Sequence, residues 1–412
     1  MNVLIISQNF PPDVGGAATR VFGFAQGLSN FGNKVTVLCS NPVYPKGEIY
    51  SGYKNKFFQE DNNFQDFKVF RSYIIPVKPN SGFLMRLLSY FSFVISSKIC
   101  LSKLKIRPDV VIVCVPQLFV ALTGIKAKNI FKINLYLDIT DAWPESAVAT
   151  GFMKRGILFI IAEYFEKWVY RHYDYFLASA QGIKEHLLKQ GVDENKIALI
   201  YDAADIPLFE QPSYNADIAE KYNLKNKFVV GYTGLMGFAQ DPASIVEVAR
   251  ILSNYKDIFF LLIGDGGKKE EAKKLAEAYG LSNIEFIGQV PRQEIPQYTS
   301  LFDVCLISYK NEPLFKTTIP GKLFDYLASG KPIIINTEGR AADIILKAQA
   351  GLVARSGDVK DFADKILEIY YNPEKGKEFG INGRNFVKKY YDRREIIKKL
   401  EDFLTRTKLN QC

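Results

Sequence analysis

Short runs of β-branched and other apolar residues recur along this chain, each followed by a stretch with helical spacing. The run PDVVIVCVP at 108–116 is typical of a strand buried on both faces of a parallel sheet. Two such strand–helix series, joined by a linker at 206–223, predict an α/β fold with two doubly wound, Rossmann-like domains. The predicted strands lie at 3–7, 34–39, 108–116, 133–140, 173–179 and 197–205, and then at 228–234, 258–266, 284–290, 303–309 and 331–337.

The same pattern sets the expected domain limits. An N-terminal domain is predicted over 1–205 and a C-terminal domain over 206–390, with a last helix within 391–412. A chain of 412 residues is long enough to bury a core in each domain. Ligands of doubly wound sheets bind at the carboxyl ends of the strands, so the cleft between two facing domains is the expected site.

The stretch KTTIPGKLFDYLASGKPIII, at 316–335, indicates the chemistry most clearly. Pro320 and Gly321 precede a helical pattern that ends at a glycine. Lys322 and Asp325 are three positions apart in its first turn, so both side chains project from one face. Lys322 and the helix N-terminus favour a phosphate, and Asp325 could accept hydrogen bonds from ribose hydroxyls. This arrangement suits a nucleotide sugar; the alternative is a solvated helix face.

Three glycine-rich turns each follow a predicted strand. The first places Gly15 and Gly16 before a helix, the second contains Gly264 and Gly266, and the third begins at Gly234. Glycine lets a ligand approach the backbone closely, and helix N-termini favour phosphate, so these turns are candidates for donor or acceptor contacts. The alternative at each position is a plain turn, because the GxGxxG spacing of dinucleotide-binding proteins is missing from the first of them.

Two aspartates flank the end of a predicted strand in the segment LDITDAWPES, and they are candidates for acid–base chemistry. Asp138 and Asp141 could act as paired carboxylates or as metal ligands, and Asp141 is the candidate catalytic residue of the pair. We expect no metal, because no histidine or further acidic cluster supports one in this segment. The two histidines of the chain, His172 and His186, are expected to be structural or exposed. Five scattered cysteines without CxxC spacing favour a reducing compartment.

The net charge of +9 predicts an acidic partner. Basic residues alternate with aromatic and aliphatic residues at 82–107 and 152–172, which suits a surface resting on an anionic membrane. The alternative is two ordinary helices with a basic outer side. No recognition motif indicates nucleic acid. The N-terminus is predicted to be a strand rather than a signal peptide, and Arg86 and Lys98 interrupt the apolar stretch 82–101, so no transmembrane helix is expected.

Taken in order, these motifs make the chain resemble the retaining glycosyltransferases of family 4, which have the two-domain GT-B fold. The resemblance covers almost the full length. The DxWPES and PxKxxxYLAxGKP patterns are similar to the branch that builds bacterial O-antigens and capsules, including N-acetyl-fucosamine transferases. The motifs that carry the resemblance are PPDVGGAATR, DITDAWPESAVATG, IGDGG, IEFIGQVPRQEIPQYTSLFDVCLIS and IPGKLFDYLASGKPIII.

The resemblance implies that the C-terminal domain binds the sugar nucleotide, with Asp325 on the ribose and Lys322 near the pyrophosphate. Gly15 and Gly16 would meet the donor phosphates or the acceptor across the cleft, and the last helix would cross back to the N-terminal domain. Lys322 and Asp141 are the candidate catalytic residues. The other residues expected at the donor are Gly234, Gly264, Gly266, Thr317, Thr318, Pro320 and Gly321.

This chain departs from the family pattern at positions that usually touch the donor. The loss of two common cations leaves Lys322 as the expected pyrophosphate contact, aided by Arg292 or Lys316. The replacements are Thr317 and Asp325 for the two glutamates of a Glu-x7-Glu pattern, Leu235 and Gln240 for an arginine and a lysine, and Thr140 for a histidine.

The expected function is transfer of a sugar, an N-acetylated or deoxy hexose, with retention of the anomeric configuration. The donor would be a nucleotide sugar, with UDP the expected nucleotide, and the acceptor a lipid-linked glycan of a bacterial O-antigen or capsule. No cofactor or metal is expected beyond the nucleotide sugar. The enzyme would be cytoplasmic and peripheral at the inner face of the cytoplasmic membrane. The alternatives are a UDP-sugar 2-epimerase and a non-catalytic relative that binds membranes or polyanions.

Overall fold

The chain divides into two compact units. The N-terminal unit is Met1–Asp202 together with Arg393–Cys412, and the C-terminal unit is Ala203–Asp392. The computed structural model describes residues 1–78, 81–115, 117–149, 153–210 and 215–409, apart from the side chains of Ala149, Leu314, Thr317 and Leu409.

A mostly parallel sheet forms the centre of the N-terminal unit. Its strands are β1 (Asn2–Ser7), β2 (Lys34–Ser40), β3 (Phe58–Glu60), β4 (Lys68–Ser72), β5 (Val110–Val115), β6 (Leu135–Ile139), β7 (Tyr175–Ala178) and β8 (Ile197–Leu199). Their order across the sheet is β3-β4-β2-β1-β5-β6-β7-β8, and the pairing of β3 with β4 is antiparallel. All of β5 is buried, as its uninterrupted apolar sequence predicts.

Helices connect these strands. They are α1 (Gly16–Asn30), α2 (Phe83–Leu101), α3 (Ala121–Phe131), α4 (Glu145–Ala149), α5 (Ile157–His172) and α6 (Gln181–Lys189). The carboxyl ends of β1 and β6 lie at the same edge of the sheet, because both strands pair in parallel with β5. The loops that hold Gly15 and Asp141 therefore emerge from one edge.

The C-terminal unit contains a second sheet, and all of its pairings are parallel. Its strands are β9 (Phe228–Thr233), β10 (Ile258–Ile263), β11 (Ile284–Ile287), β12 (Val304–Ile307), β13 (Ile333–Ile335) and β14 (Gly351–Val353). Their order is β11-β10-β9-β12-β13-β14. The short strand β13 shows that both faces are covered, because Ile333 and Ile335 pack in one apolar cluster and Ile334 in another.

The C-terminal unit's helices are α7 (Ile206–Phe209), α8 (Ala216–Lys221), α9 (Pro242–Ile251), α10 (Lys269–Ala278), α11 (Ile295–Thr299), α12 (Gly321–Ser329), α13 (Arg340–Lys347), α14 (Val359–Tyr371) and α15 (Pro373–Tyr390). The predicted linker at 206–223 contains the short helices α7 and α8, and Ile206 and Phe209 of α7 are buried in the core. This segment is therefore part of the packed unit rather than a bare linker. The predicted fold class of two Rossmann-like α/β domains is confirmed.

The last helix, α16 (Arg393–Leu409), packs in the N-terminal unit. Thr407 hydrogen bonds through its hydroxyl to the phenol of Tyr136 at 2.6 Å. Against α1, a side chain at Gly27 would collide with Ile397, so this glycine permits the close packing of α1 and α16.

Candidate functional site

Lys322 lies in the first turn of α12, beside the carboxyl end of β9. Its ammonium nitrogen is 3.6 Å from the centroid of the Tyr232 ring, and a Cβ added at Gly234 would be 3.2 Å from the same nitrogen. That nitrogen is buried and has no hydrogen-bond acceptor among the described residues. Burial lowers the pKa of Lys322 well below its ordinary value. The sequence placed this residue at a helix start, and the structure adds that its amine is buried and unsatisfied.

Burial of an ammonium group without a hydrogen-bond acceptor destabilises the fold, because its interaction with an aromatic ring replaces only part of the lost hydration free energy. Strong burial without a partner is found where a ligand supplies the missing charge. A phosphate oxygen would accept from the Lys322 amine and restore the ordinary preference for the charged form. The position therefore suits an anionic ligand at the carboxyl edge of this sheet.

Asp325, one turn further along α12, is paired with Arg292. The guanidinium of Arg292 donates to both carboxylate oxygens, at 3.0 and 2.8 Å. Burial alone would lower the pKa of Arg292, but the charge of Asp325 and its hydrogen bonds raise it. Each carboxylate oxygen keeps a lone pair, so Asp325 could still accept from a ribose. Arg292 thus orients the Asp325 carboxylate, whereas the sequence analysis expected it only as an aid to Lys322 at the pyrophosphate.

The glycines of the donor turns serve backbone packing. Gly264, with φ of +143°, lies so close to Gly234 that a side chain would collide with the Gly234 carbonyl oxygen. Gly266, with φ of +153°, packs in the same way on the backbone of Met236. The close approach that these residues permit is therefore between two protein turns, which lie side by side after β9 and β10. The sequence predicted instead that these glycines let a ligand approach the backbone.

The segment before α12 holds the remaining donor candidates. Thr318 and Pro320 are half-buried and Gly321 is exposed, with open space where its side chain would be. The side chain of Thr317 lies outside the described part of the chain. Lys316 is paired with Glu338 at 2.8 Å near the surface, so it does not join the Lys322 amine in this structure.

The two positions where the resemblance implies cations, 235 and 240, are filled differently here. The backbone carbonyl of Leu235 accepts from the Tyr232 hydroxyl at 2.6 Å, and the Gln240 side chain accepts from the backbone N–H of Gly237 at 3.2 Å. Both residues thus stabilise the loop after β9 and bring no positive charge to it. Two lysines lie next to this loop. The Lys322 nitrogen is beside Gly234, and the Lys310 nitrogen is 3.7 Å from the centroid of the Phe238 ring.

In the N-terminal unit, Gly15 and Gly16 form the turn that begins α1. Gly15 has φ of +142°, where other residues are strained, and a Cβ added at Gly16 would meet nothing within 4 Å. The space beside Gly16 is therefore open to a ligand. Asp13 stands just before this turn and is buried, and its Oδ1 accepts from the backbone N–H groups of Val43 and Tyr44 at 2.8 and 2.7 Å.

The second oxygen of Asp13 has no partner in the described structure, and burial raises the pKa of this carboxyl from 3.8 to about 6. The folded state therefore holds the Asp13 proton more tightly than the unfolded state. The resulting stabilisation, about 3 kcal/mol, is complete below about pH 4 and is lost as the pH rises through about 6.

We predict that Asp13→Asn raises the melting temperature at pH 7.5 and has a smaller effect at pH 5. The neutral amide avoids the buried charge, but its own NH₂ group is then buried without an acceptor. The expected net gain in the free energy of unfolding at pH 7.5 is about 1–2 kcal/mol. Thermal unfolding at both pH values checks this. An equal effect at the two values would show that Asp13 does not titrate between them.

The mid-chain aspartates do not form a carboxylate pair. Asp138, on β6, is fully buried and accepts from Arg20 on α1 at 2.7, 2.9 and 3.2 Å. Arg20 also contacts Asp202 at 2.9 Å, and the two aspartates raise the pKa of Arg20 against the effect of its burial. Asp141 is exposed on the loop after β6, with the Thr140 hydroxyl at 3.4 Å. Asp138 is thus neutralised within the fold, and Asp141 alone is available to a ligand.

Comparison with known families accounts for most of the chain. Residues 14–206 match the profile of "Glycosyltransferase Family 4", and residues 215–386 match "Glycosyl transferases group 1". The first match contains the Gly16 turn and Asp141, and the second contains Lys322 and Asp325. The chain is a GT-B glycosyltransferase of family 4.

Relatives and solved structures agree with this family. WcaI of Escherichia coli K12, named as a colanic acid biosynthesis glycosyl transferase, is 25% identical over 349 residues, which are 82% of this chain and 84% of WcaI. Sucrose-phosphate synthase from Thermosynechococcus elongatus superimposes with a TM-score of 0.73 at 16% identity, covering 100% of both chains. HepE of Anabaena, solved with UDP and glucose, gives 0.71 at 17% identity and covers 98% of this glycosyltransferase and 100% of HepE. These two structures support the fold.

Proposed function

We propose that this glycosyltransferase moves a sugar from a nucleotide donor, with UDP as the nucleotide, to a lipid-linked glycan in the synthesis of a bacterial surface polysaccharide. The observation that carries the proposal is the buried, unpartnered amine of Lys322 beside the turn at Gly234. A donor diphosphate would supply the anion that this amine lacks. HepE was solved with UDP, and WcaI is named for colanic acid biosynthesis, which supports the donor class and the product class.

In this proposal the reaction depends on charge neutralisation. As the sugar leaves, negative charge develops on the diphosphate, and Lys322 together with the N-terminal N–H groups of α12 would stabilise it. The leaving phosphate would take the acceptor proton, the anomeric configuration would be retained, and no metal would be needed for this step. Asp325 would accept from the ribose, while exposed Asp141 is the candidate catalytic carboxylate of the N-terminal unit.

The proposed activity can be tested by incubating the full chain with radiolabelled UDP-, dTDP- and GDP-sugars, N-acetylated and deoxy hexoses included, and with lipid-linked glycans extracted from bacterial membranes. Label should move to the lipid fraction from one donor class. Product analysis without acceptor separates the alternatives, because a 2-epimerase would change its UDP-sugar without any acceptor. If no donor gave either transfer or epimerisation, that result would contradict an enzymatic role.

We also propose that the enzyme is cytoplasmic and binds the inner face of the cytoplasmic membrane through apolar faces of α2 and α5. Leu84 on α2 is 73% exposed and Ile157 on α5 is 76% exposed. The other large hydrophobic residues exposed on these two helices are Phe83, Met85, Leu88, Phe91, Ile95, Ile99, Leu158, Ile160, Ile161, Tyr164 and Trp168.

Aromatic contacts make the two faces continuous. Phe119 contacts Phe91 of α2 at 5.0 Å and Phe165 of α5 at 5.5 Å, measured between ring centroids. Beyond Phe165, Lys167 and Arg171 line an open depression together with aromatic rings. Basic side chains beside exposed aromatic and aliphatic ones suit the headgroups and acyl chains of an anionic bilayer.

By length and composition alone, α2 is a helix that could cross a membrane. In the structure its other side is packed within the N-terminal unit, where Ser96 donates to the Tyr73 carbonyl at 2.6 Å and Ser89 to the Ile75 carbonyl at 2.7 Å. A membrane span would have to give up these bonds, so we propose peripheral binding.

We predict that Ile157→Glu together with Ile161→Glu weakens binding to phosphatidylglycerol-containing vesicles at least tenfold, because two exposed apolar side chains that would enter the bilayer become charged. Vesicle sedimentation at low and high salt measures this, and binding of the unaltered chain should fall with salt. Ile381→Glu is the matched control, since Ile381 is 62% exposed on α15 of the other unit. Unchanged vesicle binding in the double variant would mean that α5 does not touch the bilayer.

A further inference from the structure

A cluster of three potential ligands lies in the N-terminal unit, apart from the donor residues. Glu145 is the first residue of α4, Glu166 lies on α5 and His186 on α6. One ligand atom from each lies within 4.8 Å of the other two. The Nε2 atom of His186 is 2.8 Å from Oε1 of Glu166. Residues far apart in sequence are thus brought together by the packing of three helices.

Hydrogen bonds in the described structure satisfy only part of the cluster's carboxylate oxygens. Tyr170 and His186 both contact the same oxygen of Glu166, Oε1, at 2.6 and 2.8 Å. The other oxygen, Oε2, is buried without a partner in the described structure, and so is Oε2 of Glu145. The Glu166 side chain is completely buried. Two carboxylates, each with one buried and unsatisfied oxygen, beside an imidazole suit a cation.

We propose that Glu145, Glu166 and His186 bind a divalent transition-metal ion, Zn²⁺ being the best match. An imidazole with carboxylate oxygens is a common Zn²⁺ donor set, and three protein ligands leave one tetrahedral position for water. Ligand distances of about 2.0–2.2 Å place tetrahedral donor atoms about 3.3 Å apart. Separations of up to 4.8 Å would have to contract modestly, and the Nε2–Oε1 pair of His186 and Glu166, now at 2.8 Å, would have to separate slightly. A site of three ligands would be too sparse for Ca²⁺, which takes six to eight oxygens.

This ion would hold the loop that carries Asp141. Glu145 lies four residues after Asp141, so its coordination would fix the segment between them to α5 and α6. The proposal departs from the sequence-based expectation of no metal, which rested on the spacing around Asp138 and Asp141. It is independent of the donor diphosphate, which Lys322 would neutralise in the other unit.

Calorimetry with ZnCl₂ on the chelator-treated full chain tests the proposal. We expect one equivalent bound with micromolar or tighter affinity. Glu145→Gln and His186→Gln should each weaken binding at least tenfold. His172→Gln, which removes the other histidine of the chain, should bind as the unaltered protein does.

Circular dichroism establishes that each variant is folded. If His186→Gln is unstable, Glu145→Gln still tests the site, because Glu145 is the more accessible of the two carboxylates. Two results would overturn the proposal: no saturable binding of Zn²⁺ near one equivalent, or equal affinity in the unaltered chain, Glu145→Gln and His186→Gln. Loss of binding in His172→Gln would place the ion elsewhere and would overturn it as well.

Discussion

Lys322→Met is expected to lower sugar transfer by about a hundredfold or more and, at the same time, to stabilise the fold. The loss of turnover follows because removal of one preorganised group that stabilises developing charge typically costs about 10²–10³ in rate. The gain in stability follows because the Lys322 nitrogen is buried without an acceptor. Methionine has a similar length and no polar hydrogen to satisfy. A gain of about 1 kcal/mol would raise the melting temperature by about 2–4 °C.

Opposite changes in activity and stability distinguish this role from a structural one. Substitution of a purely structural residue would lower activity and stability together. A ligand-binding residue in an unfavourable environment destabilises the fold until its ligand binds, so its substitution lowers activity and raises stability. Lys316→Met is the matched control, because Lys316 is a nearby lysine paired with Glu338. It should change neither quantity much. Near-normal transfer by Lys322→Met would remove Lys322 from the proposed mechanism.

Asp325→Asn is expected to weaken nucleotide binding by about tenfold or more. A hydrogen bond to a charged group contributes about 1.5–3 kcal/mol, and each 1.4 kcal/mol is a factor of ten in affinity. The substitution also leaves the guanidinium of Arg292 without its carboxylate partner, so the melting temperature should fall. Titration calorimetry with the nucleotide, and thermal unfolding without it, measure the two effects separately.

Arg292→Gln is the informative comparison, because it breaks the same ion pair and leaves the Asp325 carboxylate in place. If Asp325 accepts from the ribose, nucleotide affinity should fall in Asp325→Asn and stay close to normal in Arg292→Gln. Equal losses in the two variants would instead show that the ion pair organises α12, or that Arg292 is itself a ligand contact, and would contradict a direct role for Asp325.

Eleven of the fourteen strands in the described residues were predicted, because apolar runs and glycine turns are local signals. The short strands β3, β4 and β14 were not among the predicted ones. Even the short run Ile333–Ile335 forms the predicted buried strand, with its side chains distributed to both faces. The prediction of a linker at 206–223 was wrong in part, because this range contains two short helices that its proline and polar residues did not indicate. Ile206 and Phe209 of α7 are buried by tertiary packing that periodicity does not show.

The donor region was predictable as a segment and less so as a geometry. Lys322 and Asp325 are neighbours on one helix, which spacing shows directly, but their surroundings come from distant positions. Tyr232 lies on β9, and Arg292 is 33 residues before Asp325. Glycine content predicted the turns at Gly234 and Gly264, but it did not reveal that each turn packs on the other.

Long-range pairing explains the errors in the N-terminal unit. Asp138 and Asp141 are close in sequence, yet Asp138 is neutralised by Arg20, 118 residues away. The cluster of Glu145, Glu166 and His186 has no recognisable metal-binding spacing, because each residue comes from a different helix. A buried arginine in an apolar helix face was the signal at Arg20 that could have suggested an internal carboxylate partner.

The most direct test of the donor site is a calorimetric comparison of UDP, GDP, dTDP and CMP binding to the unaltered chain and to Lys322→Met, without added metal. We predict micromolar binding of one nucleoside diphosphate, UDP, and a loss of at least tenfold in the variant. Binding of no nucleotide, or equally strong binding by Lys322→Met, would contradict the assignment of the donor diphosphate to Lys322.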